Sequence, residues 1–230
     1  MAKSEIVKQL ARGKVDTEIA LKQLKLLLAE FPDERISSWV NRELTGYKTK
    51  DELPPYRKAA GTLRGSILNY TVKASNVGIP LSPDAPKDLY TFCNIVEFRE
   101  SIGALKKLIE REESGSLGVN VPSDYYPYII KYSLMTMTAI LGAQVQVSST
   151  AIPHIFSEVD NRLLDVFLLL EKEFGNLDDL DIDLSGKTDE QIEDIHKQIN
   201  VFIYNDNSIT IGDENEISDS IIASDSEIEE

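Results

Sequence analysis

Residues Asp33–Arg57 leave the backbone little choice. Asp33 stands where a helix N-cap belongs, and Ile36, Trp39, Val40 and Leu44 follow at the i, i+3, i+4, i+8 spacing of one helical face. Gly46 comes after the last apolar residue, where a left-handed C′ residue ends helices at little steric cost. Leu53-Pro54-Pro55-Tyr56-Arg57 then reads as an extended turn, because Pro55 biases the residue before it away from the helical region. The only tryptophan, Trp39, sits at the centre of this helix face, where spacing predicts a core anchor.

The flanking sequence fits a helical layer. Ser4–Ala11 turns Ile6, Val7 and Leu10 inward. The next helix is capped by Asp16 or Thr17, buries Leu21, Leu24, Leu27, Leu28 and Phe31, and stops at Pro32. Ala59–Val72 changes period among Gly61 and Gly65, which predicts two short strands or one bulged strand. Ser75–Pro86 reads as a loop, Lys87–Glu113 as helical (with Val96 on its apolar face), and Ser114–Pro127 as a second loop. Part of Ile129–Ser148 reads as strand, from its β-branched residues and the alternating Gln144-Val145-Gln146-Val147. Ser149–Phe174 is the longest helix, with a broad stripe of Ile155, Val159, Leu163, Val166, Phe167 and Leu170.

The sequence thus predicts an α+β chain in three parts. A mostly helical domain with a few short strands covers 1–175, and an acidic linker with a short helix, opened by a capping box at Thr188–Gln191, covers 176–199. Residues 200–230 form a strand-rich tail: Val201, Ile203, Ile209, Ile211, Ile217, Ile221 and Ile222 alternate with the polar turns Asn205–Asn207 and Gly212–Asn215. A lone meander of that size cannot offset its ordering entropy. The isoleucines therefore favour a small β-roll or β-prism shared between subunits over a solvated acidic extension, with Ile203, Ile209, Ile211, Ile217 and Ile221 as its oligomerisation residues.

Composition sets further bounds. The net charge of −15 belongs mostly to the C-terminal part: residues 1–75 carry 14 Lys/Arg against nine Asp/Glu, while residues 198–230 carry nine acids and no base. The single Cys93 excludes an internal disulfide and fits a reducing cytosol. Neither a signal-like N-terminus nor a run of membrane-spanning length is visible, so the expectation is a cytoplasmic protein with no membrane partner.

The catalytic inventory is thin, and no catalytic residue is nominated. His154 and His196 lie in helical patterns without partners at motif spacing, and Cys93 reads as a small core residue. Asp181–Gly186 imitates the first half of a calcium loop, but Ile192 stands where the bidentate Glu belongs, so neither metal nor cofactor is expected. Arg42, Lys48, Lys50, Arg57, Lys58 and Arg64, interleaved with Tyr47 and Tyr56, could contact a nucleic acid backbone. Neighbouring Glu43, Asp51 and Glu52 dilute that field, so nucleic acid is an alternative and not the favoured partner.

The stretch Glu34–Arg57 resembles the signature of the AbiTii family of bacterial abortive-infection, or phage-resistance, proteins. The matching residues are Trp39, Glu43, Leu44, Gly46, Tyr47, Leu53, Pro54, Tyr56 and Arg57; the likeness returns at Val159–Leu164, including Arg162. It is strongest in the N-terminal region and does not extend into the last 30 or so residues. The resemblance implies anti-phage defence of the abortive-infection type; with the thin catalytic inventory and the strand-rich tail, the expectation is a non-enzymatic sensor, effector or assembly module that self-associates and engages a phage or host protein. The resemblance supplies no chemistry. Glu43 and Arg57 are the polar members most worth testing; the simplest role for them is a buried pair that fixes the turn, and Arg162, among apolar neighbours, needs a partner such as one of these carboxylates.

Overall fold

Both aspartate caps form. In the computed structural model, which describes residues 3–112 and 115–204, a first helix α1 (Glu5–Ala11) is followed by α2 (Thr17–Glu30), where Asp16 Oδ1 accepts from the Glu18 and Ile19 amides at 2.9 and 3.3 Å. Asp33 Oδ1 accepts from the Ile36 amide at 2.8 Å and opens α3 (Glu34–Thr45), whose buried face is Ile36, Trp39, Val40 and Glu43. These caps satisfy amides that have no carbonyl partner in the first helical turn.

Strand β1 (Lys58–Ala60) pairs antiparallel with a later strand, whereas β2 (Thr62–Asn69) and β3 (Val72–Gly78) make a hairpin. After α4 (Lys87–Asn94) the chain enters β4 (Ile95–Glu97), the partner of β1, and then α5 (Ile102–Glu110). Strand β5 (Ser116–Asn120), helix α6 (Tyr126–Tyr132) and strand β6 (Ala139–Ser148) complete an antiparallel four-stranded sheet of order β3-β2-β6-β5. Where Ser66 pairs with Gly142 and Ile67 with Ile140, Leu141 is left over as a bulge and points to solvent. Beyond the bulge the alternation is regular: Ala143, Val145 and Val147 face the core while Gln144 and Gln146 face outward.

The 24-residue α7 (Ala151–Phe174) fills the middle of the helical layer. Its stripe of Ile152, Ile155, Val159, Leu163, Val166, Phe167 and Leu170 is fully buried, and it packs against α1, α2, α5 and the last helix α8 (Asp189–Tyr204). At the start of α8, Thr188 and Gln191 exchange the two hydrogen bonds of a capping box, at 3.0 and 3.3 Å. The fold class is α+β, with eight α-helices and two small antiparallel sheets among the described residues. No helix among them is long and apolar enough to cross a membrane.

Several sequence expectations change. Val96 lies on β4 and not on a helix: α4 stops at Asn94, whose carbonyl accepts from Gly61, and β-branched Ile95 and Val96 pair with β1. The segments read as loops contain the end of β3, strand β5 and part of α6. β5 escaped notice because Leu117 is its only buried side chain, so it carries almost no hydrophobic pattern. Val201–Ile203 belongs to α8 and not to a strand: the helix continues to Tyr204, and Ile203, 2% exposed, is part of this chain's own core and cannot serve as an oligomerisation residue on a strand. Residues 176–204 lie on the same core as the preceding helices, with Leu177, Ile182, Ile195 and Ile199 buried in it. Ile209, Ile211, Ile217 and Ile221, and with them the β-roll or β-prism expectation, lie outside the described residues.

Candidate functional site

The signature residues meet in the interior. Glu43, on the last turns of α3, is fully buried, as is Arg57, which closes a 3-10 turn (Pro55–Arg57) with its amide on the Pro54 carbonyl at 3.0 Å. Pro54 itself is extended (φ −55°, ψ 148°), so of the Pro-Pro-Tyr-Arg run only the first proline keeps the extended form expected of it. Arg57 Nη2 binds Glu43 Oε2, and its Nε donates to Oε1 at 3.3 Å. The remaining nitrogen, Nη1, donates to the Phe98 and Glu100 carbonyls at 3.0 and 2.6 Å. One guanidinium thus joins three segments: α3, the proline turn and the connection from β4 to α5.

Two phenols complete the carboxylate's shell. Tyr47 and Tyr56 each donate to Glu43 Oε1 at 2.7 Å, and Trp39 Nε1 donates to the Tyr56 oxygen at 2.9 Å. Burial, and then the negative charge of Glu43, push both phenols far above the ordinary tyrosine range, so they remain protonated donors. Tyr47 reaches this position because the chain reverses at Gly46 (φ 91°, ψ 162°), an extended positive-φ conformation and not the left-handed cap expected from sequence. A Cβ on Gly46 would sit 2.9 Å from the Arg99 carbonyl oxygen, leaving no room for alanine. The network is closed on itself, which is what a charge pair removed from water requires. It offers no free nucleophile or base.

On the outer side of Tyr56 lies a cleft of about 670 Å³. Helix α3 lends it Arg35 and Arg42, seven residues apart on one face. Helix α7 lends His154, Glu158 and Arg162 at i, i+4, i+8, and the floor is Pro54, Pro55 and Tyr56. Ile203 and Tyr204, at the end of α8, close one side. Arg162 stacks over the Tyr56 ring at 4.5 Å, donates through Nε to the Ile203 carbonyl at 2.9 Å, and through Nη1 to Glu158 Oε2 at 2.6 Å. Its carboxylate partner is therefore Glu158 and not Glu43. Arg35 lies over the Tyr204 ring at 4.7 Å, and Tyr204 donates to the Arg35 carbonyl at 2.9 Å. Arg42 has a single ion pair, a loose one with Asp51 at 3.7 Å.

The structure therefore divides the sequence candidates between two layers. Trp39, Glu43, Tyr47 and Arg57 belong to the interior, half-buried Gly46 to the turn that leads Tyr47 into it, Pro54 and Arg162 to the cleft, and Tyr56 to both. Sequence reasoning passed over Arg35, Glu158 and Tyr204 as cleft residues, and weighed His154 alone. The available signal was the helical spacing of His154, Glu158 and Arg162, three polar side chains at i, i+4 and i+8 on one face of an amphipathic helix. The dispersed basic set does not converge: Arg57 is buried, Arg64 is held by Asn76 at 3.0 Å on the sheet, and of the six only Arg42 lines the cleft.

Other candidate groups are accounted for by packing. Cys93 is fully buried, and burial pushes its thiol up to about 11. His196 packs its ring against Phe31 with centroids 4.0 Å apart. Asp183 accepts from the Ser185 amide at 2.8 Å within its own turn, and Ile192 lies on α8. Among the described residues no group of three His, Cys, Asp or Glu side chains could hold a metal ion.

Against this geometry the comparison with known families is decisive: the sequence model named AbiTii matches residues 4–196. The chain belongs to the AbiTii family. The match begins at α1 and reaches into α8, so it takes in the buried network and most of the AbiTii cleft. The family name attaches the chain to abortive infection, the anti-phage defence expected from the signature. No curated protein and no solved structure matches it.

Proposed function

We propose that this chain works in anti-phage defence as a non-enzymatic sensor: a ligand enters the arginine-lined cleft, and its binding is passed to the C-terminal segment. The observation that carries the reading is the position of Arg162. Its guanidinium rests on Tyr56, the outermost member of the buried network, and holds the Ile203 carbonyl at the end of α8. A ligand that takes up the spare Nη2 of Arg162 shifts the guanidinium that holds this carbonyl, and so bears on the point where the chain continues beyond Tyr204. Residues 205–230 carry nine acids, no base, and the isoleucines Ile209, Ile211, Ile217 and Ile221, whose alternation supports self-assembly through strands. The output is then a homo-oligomer in the cytoplasm that engages a phage or host protein.

A non-enzymatic role is supported by the closed network, in which Glu43, Tyr47, Tyr56 and Arg57 bind one another, and separately by the burial of the Cys93 thiol. A nucleic acid polymer is less well served, because it would need a continuous basic track and Arg57 is unavailable to it. The test is phage plating on bacteria expressing the intact chain or its Arg42→Ala and Arg162→Lys variants. Loss of protection in folded cleft variants supports the sensor. Full protection by both would refute it.

A further inference from the structure

We propose that the ligand of this cleft is a nucleotide, held by its phosphates between Arg42 and Arg162. This inference rests on the sensor reading and adds the ligand's chemical class.

The donors point to phosphate. Three arginines line one cleft, and two of them have hydrogen-bonding capacity to spare among the described residues. Among the described residues the Arg42 side chain makes no hydrogen bond, only its 3.7 Å ion pair, and Arg162 uses Nε and Nη1 while its Nη2 has no acceptor. Arg162 is held in place by stacking and hydrogen bonds, whereas Arg42 is only loosely tethered to Asp51 at 3.7 Å. Guanidinium N–H groups without an acceptor among the described residues, Nη2 of Arg162 and the planar group of Arg42, are donors suited to an oxyanion.

The remaining walls point beyond a bare phosphate. Glu52 and Glu158 face the same cleft as the arginines, where they would repel an inorganic anion. Carboxylates instead accept from hydroxyl and amino groups, which a ribose and a base provide. Pro54, Pro55 and the Tyr204 ring supply flat apolar surface for a base, and about 670 Å³ lies within the range of small-molecule sites. A polymer is disfavoured, because of the basic set from Arg42 to Arg64 only Arg42 lines the cleft, while Arg57 is buried and Arg64 is held by Asn76 on the sheet.

The experiment is a calorimetric titration of the full-length protein with ATP, GTP, AMP, inorganic pyrophosphate and a short single-stranded RNA. Arg42→Ala, Arg162→Lys and the control Arg64→Ala are titrated alongside, each first checked for an unchanged melting transition. The proposal expects at least one nucleotide to bind more tightly than pyrophosphate. Binding should weaken about tenfold or more in Arg42→Ala and in Arg162→Lys, and stay unchanged in Arg64→Ala. It is overturned if no nucleotide binds up to millimolar concentration, if pyrophosphate or RNA alone binds, or if binding ignores both cleft substitutions. Plating the same variants separates the two levels. Lost protection without nucleotide binding rejects the ligand class and keeps the sensor; nucleotide binding with intact protection rejects the sensor.

Discussion

The guanidinium of Arg162 lies over the ring of Tyr56 at 4.5 Å, while the hydroxyl of that same tyrosine donates to the buried carboxylate of Glu43 at 2.7 Å. One side chain is therefore both the floor of the cleft and the edge of the interior network. Substitutions on its two sides should have different consequences.

On the inner side, Arg57→Lys should lower stability and protection together. Lysine keeps the charge but cannot reach Glu43 and the carbonyls of Phe98 and Glu100 at once. Breaking a buried pair costs about 3–5 kcal/mol. Urea denaturation checks this, and Glu43→Gln should fall in the same range. An unchanged midpoint for Arg57→Lys would move it from scaffold to site.

Trp39→Ala removes a large buried side chain, 1% exposed, and the indole donor to Tyr56. The expected loss is about 3–5 kcal/mol, seen as a lower denaturation midpoint.

Gly46→Ala should cost about 1–3 kcal/mol for a non-glycine residue at φ 91°, with a further penalty from the Arg99 carbonyl. Thermal melts of the purified variant measure it. Wild-type stability would mean that the reversal after α3 is not held as described.

Acid should loosen the N-terminus. Burial opposes ionisation of Glu171, but hydrogen bonds from Lys3 and Ser4 outweigh it and pull the carboxyl down to about 2. A carboxylate depressed in the folded state adds stability above its unfolded value of about 4.3, and that stability is lost as pH falls toward 2. The melting temperatures of wild type and Glu171→Gln should therefore differ near neutral pH and converge between about pH 4 and 2. A constant difference across that window would remove Glu171 as the titrating tether.

The helical layer was legible in the sequence because its signals are local. Asp16, Asp33 and Pro32 mark helix ends through backbone chemistry within a few residues, and the α7 stripe repeats over about five turns. β5 and the helical fate of Val201–Ile203 were not, since an edge strand is defined by its partner β6 and Ile203 by the helices it packs on. The Glu43–Arg57 pair could be anticipated from two charges inside an apolar motif. The cleft could not, because Arg42, Arg162 and Tyr204 come from three helices far apart in the chain and only tertiary packing unites them.

The assembly proposal predicts a change in particle size. Truncation after Tyr204, where α8 ends, should leave a folded helical chain of lower oligomeric order than the full length, and Ile209→Asp or Ile211→Asp should mimic it. Light scattering provides the masses. Equal masses for all forms would leave the tail without an assembly role.

Phage plating with Arg42→Ala, read beside its melting temperature, tests the central claim most directly. The one ion pair of Arg42 among the described residues is partly exposed and 3.7 Å long, so its loss should change stability by no more than about 0.5 kcal/mol. The account predicts a fully folded protein that no longer protects. A fully folded protein that protects as well as wild type would contradict it.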